Sequence, residues 1–180
     1  MIETPRLILR PWHDADREPF AAMGRDAEVM RHLNGVVDRA TSDAGVDRQM
    51  RSHADTGLCF WAIERREDGA FLGFCGLRRG GHAGTPVSDE LEIGWRLRRD
   101  AWGRGYAREA ALASFDYGWR HTGAPRISAW TVPANVRSWG LMERLGMARR
   151  PDLDFDHPAF AEGHPLRRHI VHAIERPAHV

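Results

Sequence analysis

The chain has 180 residues, 42% of them hydrophobic and 28% charged, a size and balance that suit one soluble globular domain with its own core. Acidic and basic residues nearly cancel, 25 against 26, which argues against a dedicated nucleic-acid binder with a one-sided basic excess. No apolar run approaches membrane-spanning length, and the opening residues lack a basic-then-apolar leader pattern.

Cys59 and Cys75 lie in apolar runs that read as strands, so buried thiols are expected rather than a disulfide or a metal site, in a reducing cytoplasm. Every basic residue is Arg and none is Lys; wherever a phosphate must be gripped, Arg offers a planar fork of donors.

Along the chain, Arg6 to Arg10 alternates Leu7 and Leu9 against Arg6, Ile8 and Arg10 and predicts a first strand. Asp14 and Asp16 are candidate helix caps; Phe20, Met23, Ala27 and Met30 follow at helical spacing, with Gly24 expected to split the helix. Thr41 is read as the cap of a second helix running to about His53. Leu58 to Ile63 and Phe71 to Leu77 are apolar on both phases, as strands covered on both faces are, and Glu67-Asp68-Gly69 turns between them. Gly80 to Pro86 reads as a loop.

From Glu90 to Leu97 the pattern alternates cleanly. Leu91, Ile93, Trp95 and Leu97 point one way; Glu90, Glu92 and Arg96 point the other. A glycine turn, Trp102-Gly103-Arg104-Gly105, leads into a helix whose inner stripe is Ala107, Ala110, Ala111, Ser114, Phe115 and Gly118. Gly123 and Pro125 end it, Ile127 to Val132 is the next strand, and Asn135 opens a short helix that Gly146 terminates. A loop with Asp152, Asp154 and Asp156 precedes a last strand, Leu166 to Ile174. Strand, glycine turn, helix and strand make a crossover between parallel strands. With the antiparallel strands before it, residues 1–180 are expected to form a single three-layer α/β domain, its mixed, mostly antiparallel central sheet flanked by helices.

The glycine turn has a direct physical reading. Gly103 and Gly105 let backbone approach a ligand, and the amides from Gly103 to Arg108 are the unpaired donors of a helix start, at the positive end of its dipole. Arg104 and Arg108 add charge. This describes a phosphate or pyrophosphate cradle, and it also describes an ordinary helix start with two convenient glycines. Two familiar cradles are excluded: the third glycine of the dinucleotide fingerprint would fall at Arg108, and the nucleotidase P-loop needs a Lys.

Four stretches in order resemble the GNAT superfamily of N-acetyltransferases, and within it the branch containing the ribosomal-protein N-terminal acetyltransferases. They are Thr4-Pro5-Arg6-Leu7-Ile8-Leu9-Arg10-Pro11-Trp12, Glu92-Ile93-Gly94-Trp95-Arg96-Leu97, Trp102-Gly103-Arg104-Gly105-Tyr106-Ala107-Arg108-Glu109-Ala110, and Val132-Pro133-Ala134-Asn135-Val136-Arg137-Ser138 with Glu143-Arg144-Leu145-Gly146-Met147. The resemblance implies direct transfer of an acetyl group from acetyl-CoA to an amine acceptor, a small molecule or a protein N-terminus, without a metal, a nucleic acid or a membrane partner. A homodimer is compatible with the sequence and demonstrated by nothing in it.

It also implies roles. The amides of Gly103, Arg104, Gly105, Tyr106, Ala107 and Arg108 would hold the pyrophosphate, with Trp102 at the head of the loop. Trp95 to Leu97 would pair with the pantetheine like an added strand. Asn135 would hydrogen-bond near the pantetheine or cap its helix, and Ser138 would lie close to the sulfur. Glu92 occupies the family's usual base position, with Glu90 on the same face; a carboxylate suits the task because amines attack only when neutral. Relatives place a Tyr one helical turn after the Ser; here the position is Met142, a site where a Tyr is expected to fit. That departure is the best support for the rival reading, a non-catalytic acyl-CoA-binding or sensing module. His157, His164, His169 and His172 have no compact ligand spacing, so no metal site is expected.

Overall fold

Alternation in the sequence becomes a nine-stranded sheet in the computed structural model, which describes residues 1–178. Its strands are β1 (Ile2–Glu3), β2 (Leu7–Arg10), β3 (Phe60–Arg65), β4 (Phe71–Arg79), β5 (Leu91–Leu97), β6 (Arg126–Thr131), β7 (Ala148–Arg149), β8 (Phe155–Asp156) and β9 (Arg168–Glu175). The helices are α1 (Arg17–Arg25), α2 (Ala27–Met30), α3 (Arg39–Thr56), α4 (Tyr106–His121) and α5 (Val136–Arg144). The sheet runs β1-β2-β3-β4-β5-β6-β9-β7, with β8 added beside β9. Only β5 and β6 pair in parallel among the described residues, where the strand–turn–helix–strand pattern predicted it.

The two sheet faces are covered differently. Against one, α4 lays the small-residue stripe Ala110, Ala111, Ser114 and Gly118, all buried. Gly118 is required by contact: a Cβ there would lie 2.7 Å from Leu77 Cδ1 and 3.1 Å from Ile127 Cδ1. On the other face, α1 and α3 cover an aromatic group in which Phe20 meets Trp12 edge-on at 4.9 Å and Phe74 at 6.2 Å. Cys59 and Cys75 are free thiols, both fully buried, and burial pushes each up to about 12.

Local chemistry moves several predicted boundaries. Asp16 does not cap α1. Its carboxylate, 2% exposed, takes both Nη1 and Nη2 of Arg10 at 2.8 Å and the His13 amide at 3.0 Å. The break between α1 and α2 falls at Asp26, which accepts from the amides of Glu28 (2.9 Å) and Val29 (3.3 Å), rather than at Gly24. Gly24 instead permits a close approach, since a Cβ there would meet Val37 Cγ2 at 2.8 Å. Thr41 is inside α3 rather than its cap; Asp38 Oδ1 accepts the Thr41 amide at 2.8 Å.

Candidate active site

The parallel seam between β5 and β6 is closed at one end and open at the other. Only Leu91↔Ile127 and Glu92↔Ser128 are in register; β5 then runs on to Leu97 and β6 to Thr131 without pairing each other. The inner edges of the diverging strands therefore offer backbone donors and acceptors to whatever enters between them. Beyond the open end, β5 leads into the glycine turn and the N-terminus of α4, while β6 leads through Pro133 to the N-terminus of α5. Two positive helix ends thus serve the same gap.

Both glycines of the turn are left-handed, Gly103 at φ 71° and Gly105 at φ 78°, a conformation that costs other residues about 1–2 kcal/mol. A Cβ on Gly103 would meet nothing within 4 Å. Among the described residues, no amide from Gly103 to Arg108 donates to a protein carbonyl; the helical ladder starts with Glu109 N–H to Gly105 O at 3.1 Å. The turn is held from behind. Glu109 accepts from Thr4 Oγ1 (2.6 Å), Arg6 N (2.9 Å) and Arg6 Nε (2.6 Å), and Arg6 Nη1 donates to Arg104 O at 2.9 Å. Burial alone would raise the Glu109 carboxyl, but these bonds hold it below its ordinary value. Arg6 also lies 4.7 Å over the buried Tyr106 ring. The opening Thr4-Pro5-Arg6 is therefore a clamp on the turn as well as the lead-in to β2.

Trp102 buckles the turn to the strand: its indole N–H donates to Leu97 O at 2.8 Å, so a ligand reaching that carbonyl must share it. The guanidinium of Arg137, in the first turn of α5, lies 4.9 Å over the Trp102 ring and ties the two sides of the gap together. Leu97 faces the core at 5% exposure, whereas Trp95 is half-buried.

Glu90 and Glu92 share a face and have opposite surroundings. Glu90 is bound by Arg126, whose Nε reaches both carboxylate oxygens at 2.8 and 2.9 Å and whose Nη2 also contacts it, and by Ser128 Oγ at 2.6 Å. Burial would raise its pKa; Arg126 and Ser128 outweigh that and hold the group below its ordinary value. Glu92 sits at the vertex, on the last paired position of the seam, and its partner is Arg78, directly across from it on β4. Arg78 Nε lies at 3.1 Å and Nη2 also contacts the same oxygen. Here burial dominates the opposing pull of Arg78 and pushes the carboxyl up to about 7, with the side chain 13% exposed. A carboxyl at that value exchanges protons near neutral pH.

Asn135 does not cap α5 through its side chain. Its Nδ2 donates to Thr131 Oγ1 at 2.9 Å and anchors the helix start to the end of β6. Ser138 is half-buried in the first turn of α5, its amide bonded to Asn135 O at 3.0 Å. Met142 is 1% exposed and packed in the main core, its carbonyl capped by the amides of Leu145 and Met147 around left-handed Gly146. A tyrosine there would have to displace packed neighbours, contrary to the expectation that it would fit. His157 and His169 join His82, Phe155 and Trp130 in an aromatic cluster, with the His82 and His157 rings 4.0 Å apart. Burial carries His82 down to about 4.

Sequence reading missed Arg78, Arg137 and the Thr4–Glu109–Arg6 clamp. Only Arg78 left a usable signal, as a charge ending an apolar strand run.

The GNAT acetyltransferase domain family matches residues 6–148. A Bacillus subtilis protein, the uncharacterized YkkB, is 32% identical over 149 residues, covering 80% of this chain and 83% of its own. The uncharacterized N-acetyltransferase YnaD of the same organism is 30% identical, covering 82% of each. Among solved structures, a GNAT-family acetyltransferase from Bacillus anthracis superposes with a TM-score of 0.78 at 24% identity, covering 97% of this chain and 98% of its own. RimL, a ribosomal L7/L12 α-N-protein acetyltransferase solved with coenzyme A, shares the fold with a TM-score of 0.76 at 13% identity, covering 96% and 95%. The chain belongs to the GNAT acetyltransferase family.

Proposed function

We propose that this protein transfers the acetyl group of acetyl-CoA directly to a primary amine, with Glu92 as general base. The observation that carries the reading is the seam: one ionisable carboxyl at its vertex, unpaired strand edges beyond it, and unpaired helix-start amides at its mouth. The residues present suit coenzyme A. The amides from Gly103 to Arg108, with Arg104 and Arg108, would hold the pyrophosphate; the free edge at Trp95 to Leu97 would pair with the pantetheine as an added strand. Asn135 would hold the far wall of the gap. When bound, the coenzyme supplies an acetyl group activated as a thioester.

Glu92 removes the proton that keeps the acceptor amine unreactive, directly or through one water. Arg78 keeps the carboxylate in place while it does so. Ser138, on the first turn of α5, would lie beside the sulfur and donate a hydrogen bond to the departing thiolate, which a thiol pKa near 8.5 makes a tolerable leaving group. The positive end of α5 favours that anion further. Met142, buried and unable to donate, plays no proton-transfer part.

A screen of acceptor amines, small molecules and short peptides, for thiol release from acetyl-CoA tests the reading. Turnover on at least one amine supports it. Tight acetyl-CoA binding with no turnover on any would instead favour a non-catalytic sensing module, the reading that the missing tyrosine at position 142 supports.

A further inference from the structure

One charge on the catalytic face lacks a counterpart. Arg96 stands on β5 four residues beyond Glu92 and on the same side of the strand, about 13 Å further along at strand rise. Its guanidinium is wedged 4.9 Å from the Phe20 ring and 5.1 Å from the Phe74 ring, beneath the elbow between α1 and α2. Nη1 reaches the sulfur of Met30 at 3.0 Å, a weak acceptor. Nε is buried with no partner. No carboxylate pairs with this side chain among the described residues, and burial alone pulls its pKa down, to about 10.

The other half-buried arginines contrast with it. Arg10 holds Asp16 and Glu64, Arg17 holds Asp47, Arg65 holds Asp68, and Arg126 holds Glu90. Taking a guanidinium out of water without a partner is costly, and the two phenyl faces offset only part of that cost. Among the described residues Nη2 has no protein partner, and it is not one of the fully buried polar atoms, so an anion reaches Arg96 there.

We propose that Arg96 is the anion anchor of the acceptor site and selects primary amines that carry a carboxylate several bonds from the nitrogen. This rests on the reading of Glu92 as the base that receives the amine. The fork of Arg96 takes the carboxylate in a charge-assisted pair, and the span between the two side chains sets the length of the acceptor. Gly94, between them on the same face, has no side chain of its own and is roofed by the Phe60 ring, which a Cβ would strike at 2.9 Å. The surface between base and anchor is thus the apolar Phe60 ring laid over bare backbone.

The test compares ω-amino carboxylates, from glycine to 6-aminohexanoate, each with its carboxamide. At the fitting length the carboxylate should have a kcat/KM about ten- to a hundredfold higher, the range of a charge-assisted hydrogen bond. In Arg96→Met that ratio should fall toward one, and in Arg96→Lys it should be partly restored. Arg96→Met should melt at or above the wild-type temperature, since an unpaired charge has left the interior. No carboxylate preference at any length overturns the proposal. So does an Arg96→Met protein that loses stability, or one that binds coenzyme A more weakly while keeping the wild-type ratio. If no amine is acetylated, the catalytic reading fails and titration calorimetry decides the anchor. Heat from 6-aminohexanoate binding to the coenzyme A-loaded protein, lost in Arg96→Met, supports it; no heat from any ω-amino carboxylate with the wild type overturns it.

Discussion

At the closed end of the β5–β6 seam, Glu90 is surrounded by donors: Arg126 on both oxygens and Ser128 on one. At the open end, two residues on, Glu92 is as buried but has Arg78 alone, and its carboxyl rises to about 7. The residue type is the same, with Glu90 just before β5 and Glu92 within it; burial pushes both carboxyls up, and only at Glu90 do the bonds from Arg126 and Ser128 outweigh it. The difference follows from the strands. Arg126 and Ser128 of β6 both turn to Glu90; Glu92, although paired with Ser128 in register, receives no side-chain donor from β6 and is left with Arg78 of β4.

Breaking the open end should have the largest effect. Glu92→Gln keeps the shape and removes the proton acceptor, and should lower turnover on the order of 10² to 10⁴, with acetyl-CoA affinity nearly unchanged. Steady-state rates beside a coenzyme titration separate the two. A Glu90→Gln variant slower than Glu92→Gln would invert the assignment.

The mouth comes next. Acetyl-CoA at a hundred times its dissociation constant should stabilise the wild type by about 2.7 kcal/mol, and NAD and ATP by far less. Gly105→Asp should abolish that shift by straining the left-handed position and setting a carboxylate beside Arg6 Nη2, 3.4 Å from the new Cβ, which draws Arg6 from its clamp on the turn; Gly105→Ala isolates the backbone strain. A Gly105→Asp protein with a normal shift would mean that the turn is not the cradle.

The two ends should also differ in sign when stability is followed against pH. Glu90 titrates below its ordinary value when folded, so its contribution is present above the unfolded pKa and lost as pH falls through the folded one. Removing it as Glu90→Gln should cost roughly 1–3 kcal/mol at pH 7, and less in acid. Glu92 titrates above its ordinary 4.5, so between about pH 4.5 and 7 the folded state holds a proton the unfolded state has lost. Its effect is to weaken the fold as pH rises through that window, and Glu92→Gln should remove the decline. Denaturant unfolding of both variants at pH 4.5, 6 and 8 checks the signs; parallel curves would erase the distinction. Smaller still, Ser138→Ala should slow turnover roughly tenfold, about 1.4 kcal/mol. A loss of several thousandfold with coenzyme binding intact would make Ser138 an obligatory acid.

Much of this geometry was legible in the sequence because it is periodic or local. Leu91, Ile93 and Leu97 alternate with Glu90 and Glu92, which gave the strand and both carboxylates. Gly103 and Gly105 announced a turn with left-handed backbone. The illegible parts depend on contacts between distant segments. Thr4 and Arg6 reach Glu109 across more than a hundred residues. Arg78 meets Glu92 only because the loop between β4 and β5 returns the chain in one particular register, which no local pattern fixes. The same is true of Met142: helical spacing put it one turn from Ser138, but its depth in the core depends on packing from other elements.

The central claim, that the carboxyl at the open end of the seam is the working base, is tested most directly by the pH dependence of kcat/KM. Wild type and Glu92→Gln should be compared from pH 5 to 9 on one acceptor whose own pKa lies well above 8. The account predicts that wild-type kcat/KM climbs with pH and levels off through a single group near 7. It predicts that Glu92→Gln lacks that inflection and is slower throughout the plateau. The same inflection in both proteins, with Glu92→Gln within about threefold of the wild-type rate, would contradict it.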